Sequence, residues 1–342
     1  MVLSIVYETL SVWAYRVLVS LVAWGVLVAL VRAFRQIFLR GGKIAVKGKH
    51  VVITGGSTGI GRALGEEFAR RGASRVTLMA RTESKLRDAV ESVNSRFTDD
   101  GGKASYVCCD VTDAASVVDA MAEATRESGD VDILIACAGT SYPGYFLEQD
   151  ASVFEKTMKL NYLGTVHAAK AVAPAMTARN SGEIVIVASA AAVVSFLGYA
   201  SYAPTKWALR GFADAIRNEL CGFDVGVHIA YPPDTDTPGF KSENETKPVE
   251  CTKISPPEVY SAASVAGCMV TSLCCGDYHL SSPDPVQDLL VSSMAGVSPR
   301  KNSVFEMALA PLVGFIEQAF LWHADRVARG YGRRESAKSK SD

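Results

Sequence analysis

Tyr202 and Lys206 lie four residues apart, a spacing that places two side chains on one face of a helix. An ammonium group favours the charged form of a neighbouring phenol. We therefore expect Lys206 to lower the pKa of Tyr202 from its ordinary value of about 10. A phenol with a lowered pKa can pass a proton to or from a carbonyl oxygen. The pair alone is weak evidence, because most such pairs only form a solvated helix face.

The serine at position 189 strengthens a catalytic interpretation of this pair. Ser189 comes thirteen residues before Tyr202 and directly follows the apolar run 184–188, which predicts a buried strand. Open α/β sheets bind their ligands at the carboxyl ends of such strands. We therefore predict that Ser189, Tyr202 and Lys206 form a catalytic group that acts on a ketone or an alcohol.

A glycine-rich turn follows the first predicted strand, 50–53, and precedes the helical pattern 62–71. Glycines let the backbone approach a pyrophosphate closely, and a helix N-terminus favours its negative charge. The spacing GxxxGxG differs from the usual GxGxxG, and a tight turn without a ligand is the alternative. The residues of this turn that we assign to cofactor binding are Gly55, Ser57, Thr58, Gly59, Ile60 and Gly61.

Arg81 follows the second predicted strand, where NAD-dependent enzymes place an acidic residue for the ribose hydroxyl. A basic residue there accommodates the 2′-phosphate of NADP, and Lys85 lies one helical turn further on. We therefore predict NADPH as the cofactor; the alternative is that both residues are solvated surface cations. After the third predicted strand, Asp110 and Val111 are assigned to the adenine side of the site, although Asp110 could instead cap the next helix.

Predicted strands and helices alternate from residue 50 to residue 230. This order predicts an α/β fold of the Rossmann type, a doubly wound parallel sheet with right-handed crossovers and helices on both faces. We predict three regions: an N-terminal membrane anchor, an NADP-binding reductase domain, and a hydrophobic C-terminal region with a basic tail. Their ranges are 1–40, 41–285 and 286–342.

The stretch from Leu10 to Val31 has a single charge, Arg16, and its 22 residues are long enough to span a bilayer. A cleaved signal peptide fits less well, because the first ten residues contain no Lys or Arg. A core helix is the remaining alternative. Several Arg and Lys residues follow between 32 and 49, and positive residues stay on the cytosolic side. We therefore predict a transmembrane helix, with the rest of the chain facing the cytosol.

Two further segments follow the predicted sheet. The polar stretch 241–257 is predicted to be a mobile lid over the substrate. The stretch 303–322 is apolar apart from Glu306, Glu317 and Gln318. One charged stripe on an apolar helix indicates that it associates with the membrane interface or forms the wall of a lipid cavity. A buried dimerisation helix is the alternative, and the sequence leaves open whether the protein forms a homo-oligomer.

The composition argues against several other classes of function. The formal net charge is −1, so no basic surface favours a nucleic-acid partner. The eight cysteines include no CxxC spacing, and no two histidines lie close enough in the sequence to suggest a metal site. We expect reduced thiols in a domain that faces the cytosol, and no bound metal.

With these residues in place, the sequence resembles the short-chain dehydrogenase/reductase family over about residues 48–282. The resemblance implies that Tyr202 is the general acid–base and that Ser189 orients the carbonyl group. It implies that Lys206 lowers the pKa of Tyr202 and holds the nicotinamide ribose. Tyr202 and Lys206 are therefore expected to take part in cofactor binding as well as in catalysis.

Two other positions bear on this resemblance. Asn161 matches the family's asparagine that anchors a water molecule between the lysine and solvent, so we expect the same role here. Ala136 is a departure, because the family commonly has asparagine at this position. We expect this change to loosen the turn after the fourth predicted strand without altering the chemistry.

Within the family, the sequence is most similar to membrane-bound members that reduce a long-chain lipid ketone. The similarity covers the double-proline loop 232–240, the phosphate loop and the hydrophobic ends of the chain. It implies a lipid ketone substrate at the endoplasmic reticulum membrane, with the active site toward the cytosol; Lys338 and Lys340 resemble a retrieval signal. The alternatives are a membrane-bound reductase of steroids, retinoids or other lipid ketones, and a catalytically silent nucleotide-binding protein.

Overall fold

The computed structural model of the chain describes residues 44–97, 102–256, 258–294, 298–299 and 303–338. Ile44–Asp342 form one compact unit. The predicted transmembrane helix, Leu10 to Val31, lies outside the described residues. Within the described part of the chain, no helix is both long enough and apolar enough to cross a membrane.

Seven parallel strands form the central sheet, and two short strands form a second sheet beside it. The bounds are β1 His50–Thr54, β2 Arg75–Ala80, β3 Lys103–Cys108, β4 Ile133–Ala136, β5 Gly182–Val187, β6 Val225–Ala230, β7 Thr235–Asp236, β8 Tyr260–Ser261 and β9 His279–Leu280. The central order is β3-β2-β1-β4-β5-β6-β9, and β7 pairs with β8. The strand order reverses at β1 and β4, which opens a ligand crevice at their carboxyl ends.

The described helices connect these strands and follow the last of them. The bounds are α1 Gly59–Arg70, α2 Glu83–Asn94, α3 Ala114–Ser128, α4 Ala151–Met158, α5 Gly164–Ala178, α6 Ala203–Leu220, α7 Pro238–Thr246, α8 Val249–Ile254, α9 Ala262–Cys274, α10 Pro285–Ser293 and α11 Ser303–Lys338. A π-helical turn, Lys159–Leu163, joins α4 to α5. The α/β order and the parallel sheet confirm the predicted Rossmann-type fold.

Helices cover both faces of the sheet, because its strands are apolar on both sides. Side chains alternate along each strand, so Ile184 and Ile186 of β5 pack with α5 and α6, whereas Val185 and Val187 face α9. Phe68 of α1 lies on the second face and is fully buried. The catalytic and cofactor segments are thus held by a core that surrounds the sheet.

Most predicted strand ends agree with the structure to within two or three residues. The strand predicted over 184–188 is β5, which begins at Gly182 and ends at Val187. Strand β9 and the small sheet were not predicted, because two-residue strands have too few residues for an alternating pattern. The stretch 241–257, predicted to be a lid, contains most of α7 and all of α8.

The C-terminal helix α11 continues well past its predicted end at residue 322. It packs beside α8, where the His323 imidazole is hydrogen-bonded to the Lys253 carbonyl at 2.9 Å. It also packs beside α10, where the Ser293 hydroxyl donates to the Glu317 carboxylate at 3.0 Å. These contacts attach α11 to the segments that lie next to the sheet's carboxyl edge.

Candidate active site

Ser189 lies at the carboxyl end of β5, as its place after an apolar run predicts. Its hydroxyl oxygen accepts a hydrogen bond from the Ala191 backbone N–H at 3.2 Å, which opens a short 3₁₀ turn. The same hydroxyl is hydrogen-bonded to the Tyr202 side chain. The structure therefore brings together these two residues, which are thirteen positions apart in the sequence.

Tyr202 immediately precedes α6, and Lys206 lies in the first turn of that helix. The Lys206 side chain is buried, and its ammonium nitrogen lies 5.5 Å from the centre of the Tyr202 ring. That nitrogen donates a hydrogen bond to the Val187 carbonyl of β5 at 3.1 Å. The last residue of β5 thus holds the lysine beside the tyrosine, as the spacing predicts.

The predicted direction of the Tyr202 pKa is wrong for this structure. Burial raises the pKa of the Tyr202 phenol, the hydrogen bond with Ser189 offsets only part of this, and the charge of Glu243 raises it further. Burial also lowers the pKa of Lys206, to about 8. Removing both groups from water disfavours the phenolate and the ammonium alike, and this outweighs their mutual attraction.

We expect Lys206 to make the stability of the protein rise with pH in a defined window. Its folded pKa of about 8 lies below its ordinary value of 10.5. Between these two pH values the unfolded chain holds a proton that the folded chain has released, so the free energy of unfolding increases with pH. Urea denaturation without nucleotide should therefore show a smaller rise across this window for Lys206→Met than for the wild type. Parallel curves would contradict the lowered pKa.

Asn161 is fully buried in the π-helical turn, a type of turn that is frequent at functional sites. Its side chain accepts a hydrogen bond from the Thr140 N–H and donates one to the Thr140 carbonyl, both at 2.9 Å. It also donates to the Thr205 hydroxyl at 3.0 Å, and that hydroxyl donates to the Tyr202 carbonyl at 2.7 Å. Asn161 thus ties the loop after β4 to the start of α6. Thr140 and Thr205 were not identified from the sequence, because no spacing pattern marks them.

The turn after β4 is held by a residue that the sequence did not single out. The Thr54 hydroxyl, at the end of β1, accepts hydrogen bonds from the backbone N–H groups of Cys137 and Ala138 at 3.1 and 3.3 Å. This turn directly follows Ala136, where the family commonly has asparagine. Two hydrogen bonds from one hydroxyl give the turn an attachment that does not depend on the side chain of residue 136.

The glycine-rich loop has the shape of a phosphate cradle. Gly55 and Gly59 have φ values of +70° and +56°, which favour glycine. A Cβ atom on Gly61 would overlap the Gly55 carbonyl group, so these two segments are in direct contact. Thr58, the N-cap residue of α1, makes no side-chain capping hydrogen bond, and no acidic residue occupies the first turn of this helix. The loop therefore fits a negatively charged pyrophosphate.

The loop after β6 packs against the glycine-rich loop. A Cβ atom on Gly59 would lie 3.0 Å from the Thr237 side chain, which caps α7 by accepting from the Phe240 N–H at 3.0 Å. Ser57 lies in the same glycine-rich loop, and Ile60 lies in the first turn of α1. Thr237, which belongs to the double-proline loop 232–240, is a cofactor-site candidate that was not identified from the sequence.

Arg81 is exposed immediately after β2, and Lys85 is exposed one turn along α2. Both therefore stand at the carboxyl edge of the sheet, one strand away from the glycine-rich loop. Arg81 is also close enough to Asp110 for its charge to contribute to lowering the pKa of that carboxyl group. A guanidinium in this position can bind a phosphate with two parallel hydrogen bonds.

Asp110 and Val111 follow β3 at the same edge. The Asp110 carboxylate accepts hydrogen bonds from the Thr112 N–H and hydroxyl, both at 2.9 Å, and the N–H bond is the main cause of its lowered pKa. The alternative that Asp110 caps the next helix is wrong, because Asp113 caps α3. Val111 is buried, and its carbonyl is hydrogen-bonded to His167 at 2.9 Å.

An apolar groove of about 480 Å³ runs past the catalytic segment. Its walls come from the loop before α4, the loop before α6, the start of α6 and Tyr331 of α11. The Tyr331 ring of α11 stacks on Tyr145 with 4.4 Å between ring centres, and Phe320 packs against Phe196 at 6.1 Å. Ala203, the neighbour of Tyr202, lines the same groove. Its size and apolar lining suit an alkyl chain.

Comparison with known proteins adds the following. The family described as short chain dehydrogenase matches residues 49–248. A 3-ketodihydrosphingosine reductase of Dictyostelium discoideum is 38% identical over 288 residues, which cover 79% of this chain and 86% of that protein. A 3-dehydrosphinganine reductase of Danio rerio is 40% identical over 258 residues, covering 75% and 77%. The solved structure of an alcohol dehydrogenase from Thermococcus sibiricus, complexed with 5-hydroxy-NADP, is 25% identical with a TM-score of 0.56 and covers 66% and 89%.

Proposed function

We propose that this chain, which belongs to the short-chain dehydrogenase/reductase family, reduces the keto group of 3-ketodihydrosphingosine with NADPH. The observation that carries the proposal is the grouping of Ser189, Tyr202 and Lys206, next to an apolar groove that Ala203, the neighbour of Tyr202, helps to line. The groove can hold an alkyl chain while the keto group lies against Tyr202. The names of the two relatives supply the particular lipid ketone.

The residues of the site divide the work of this reaction. NADPH, when bound, supplies a hydride to the keto carbon. Tyr202 donates its phenolic proton to the keto oxygen, and its raised pKa keeps it protonated until that oxygen becomes negative. The Ser189 hydroxyl, bonded to Tyr202, orients the same oxygen. Asn161 and Lys206 hold the tyrosine and its loop in position.

Turnover by the full-length protein in detergent micelles tests this function. We expect NADPH absorbance to fall when 3-ketodihydrosphingosine is added, with a lower kcat/KM for a keto-steroid and for retinaldehyde. A higher kcat/KM for the steroid or the retinoid would show that this class of lipid, and not 3-ketodihydrosphingosine, is the substrate. Cofactor binding without turnover of any of these substrates would instead support a catalytically silent protein.

Arg81 is expected to determine the preference for NADPH over NADH. Arg81 directly follows β2, where a basic residue can accommodate the 2′-phosphate of NADP, and NADH carries only a hydroxyl at that position. We expect Arg81→Asp to lower kcat/KM for NADPH by about 10–100-fold and to narrow or reverse the preference. The control is Arg87→Asp on α2, an equal charge change at an exposed arginine that pairs with Glu83 at 2.7 Å. Equal use of both cofactors by the wild type would refute this role.

The proposal includes membrane attachment at the endoplasmic reticulum, with the catalytic domain facing the cytosol. The apolar run Leu10 to Val31 supports an anchor, and the positive residues after it support this orientation. On α11, Phe315 and Trp322 are 76% and 65% exposed, which supports a second apolar contact with lipid. Each methylene that stays buried contributes about 0.8 kcal/mol, so an active site at the bilayer avoids extracting the alkyl chain into water.

A charge on the exposed face of α11 is expected to impair lipid turnover selectively. We expect Phe315→Glu to weaken binding to phosphatidylcholine vesicles and to lower kcat/KM for the lipid ketone, by about 10-fold, more than for a short soluble ketone. Val118→Glu on α3, where the side chain is 57% exposed, adds the same charge elsewhere and should change neither. Equal loss on both substrates would show damage to the fold rather than to a lipid contact.

A further inference from the structure

Asp234 lies in the loop after β6, and this loop is hydrogen-bonded to the residue that follows the catalytic serine. The Ala190 N–H, next to Ser189, donates to the Pro232 carbonyl at 3.3 Å. The Tyr260 N–H donates to the Asp234 carbonyl at 2.9 Å, where the small sheet begins. These two bonds fix the backbone of the loop against the catalytic segment, so the position of the half-buried Asp234 is set by structure on both sides.

The carboxylate of Asp234 differs from its acidic neighbour in having no partner of its own. Glu243 accepts a hydrogen bond from the Tyr199 hydroxyl at 2.7 Å and pairs with Lys247 at 3.5 Å. For the Asp234 carboxylate, no hydrogen bond or ion pair occurs within the described part of the chain. Burial raises its pKa, and Lys247 opposes this only through its charge at a distance. A half-buried carboxylate without a partner is costly unless a ligand supplies one.

The charge of Asp234 acts directly on the catalytic group. Both Asp234 and Glu243 raise the pKa of Tyr202, so both carboxylates lie near enough for their charges to act on its hydroxyl group. A cation bound between Asp234 and Tyr202 would therefore lie next to the keto oxygen, which receives the proton of Tyr202. In 3-ketodihydrosphingosine the carbon beside the keto carbon carries a primary amine, which is an ammonium ion at neutral pH. When the keto oxygen meets Tyr202, that ammonium group must lie within a few ångströms of it.

We infer that Asp234 is a specificity-determining residue whose carboxylate binds the ammonium group of the substrate beside the keto carbon. The inference rests on the proposed function and adds to it a reason for selecting amino ketones. Glu243 is already paired with Tyr199 and Lys247, so of these two carboxylates Asp234 is the one without a partner among the described residues. A ketone without the amine leaves this carboxylate unpaired, and sites built around a polar contact reject such analogues strongly.

The test compares two substrates that differ only in the amine. They are 3-ketodihydrosphingosine and its deamino analogue, 1-hydroxyoctadecan-3-one. Charge-assisted hydrogen bonds to a buried group give an expected loss of about 10–100-fold in kcat/KM for the amino ketone in Asp234→Asn. The same variant should reduce the deamino analogue about as well as the wild type does. NADPH affinity, measured by nucleotide fluorescence, should not change.

Asp236→Asn is the matched control. This aspartate lies two residues further along, is 64% exposed and pairs with Lys241 at 3.6 Å, so we expect its loss to leave both rates unchanged. Equal losses on both substrates in Asp234→Asn, or no loss on either, would overturn the inference. A wild-type protein that reduces neither substrate would instead refute the proposed function, so the two failures can be told apart.

Discussion

Tyr202→Phe is expected to lower kcat for the lipid ketone by about 10²–10⁴-fold while NADPH affinity stays close to that of the wild type. The substitution removes the phenolic hydrogen that Tyr202 donates to the keto oxygen, and it leaves the ring in place. Lys206 keeps its hydrogen bond to the Val187 carbonyl, so the position of the lysine is preserved. Stopped-flow measurement of NADPH oxidation under single-turnover conditions isolates this step from product release.

Tyr278→Phe is the matched control for this experiment. Tyr278 is also a buried tyrosine, and its hydroxyl donates to the Asp214 carboxylate at 2.6 Å, within the core. Its loss removes one hydrogen bond and should lower the midpoint of thermal unfolding while kcat stays within about threefold of the wild type. Near-normal kcat in Tyr202→Phe would remove Tyr202 from the role of proton donor.

Gly61→Ala is expected to lower NADPH affinity strongly, by up to about 100-fold. The added methyl group would overlap the Gly55 carbonyl oxygen and lie 2.9 Å from the carbonyl carbon. Because both neighbours are backbone atoms, the clash can be relieved only by moving the loop apart, at a cost of about 1–3 kcal/mol. Fluorescence titration with NADPH, together with the midpoint of thermal unfolding, measures both effects.

Gly211→Ala on α6 is the control for the added methyl group. A Cβ atom on Gly211 would have no neighbour within 4 Å, and alanine is a better helix former than glycine. We therefore expect unchanged NADPH affinity and an equal or higher unfolding midpoint. If Gly61→Ala bound NADPH as the wild type does, the glycine-rich loop would not be the phosphate cradle.

The sequence alone was sufficient for the parts of the site whose signals are local. Ser189, Tyr202 and Lys206 were predicted from a spacing and from an apolar run, and the structure brings all three together. The glycine-rich loop was predicted from its place between a strand and a helix, and the tight contact of Gly61 with Gly55 agrees with it. These signals can be read from the sequence because strands, turns and helices form from neighbouring residues, and their periodicity is a local property of the chain.

The sequence did not show which residues meet across long separations. Thr54 holds a turn more than 80 positions away, and Asn161 reaches Thr205 across 44 positions. Tyr331 stacks on Tyr145 and closes the groove, although only the apolar character of α11 was visible beforehand. No spacing rule connects such pairs, because only the packing of the whole unit decides which distant segments meet.

The electrostatics of the site was also decided by the tertiary structure. From the sequence, Lys206 was expected to lower the pKa of Tyr202, because an ammonium group favours a neighbouring phenolate. That expectation did not include the effect of burial on either group. In the structure the lysine and the tyrosine are withdrawn from water, and burial raises the pKa of Tyr202 while it lowers that of Lys206. The sequence determined which groups meet at the catalytic centre. Their protonation states were set by burial, which exists only once the chain has folded.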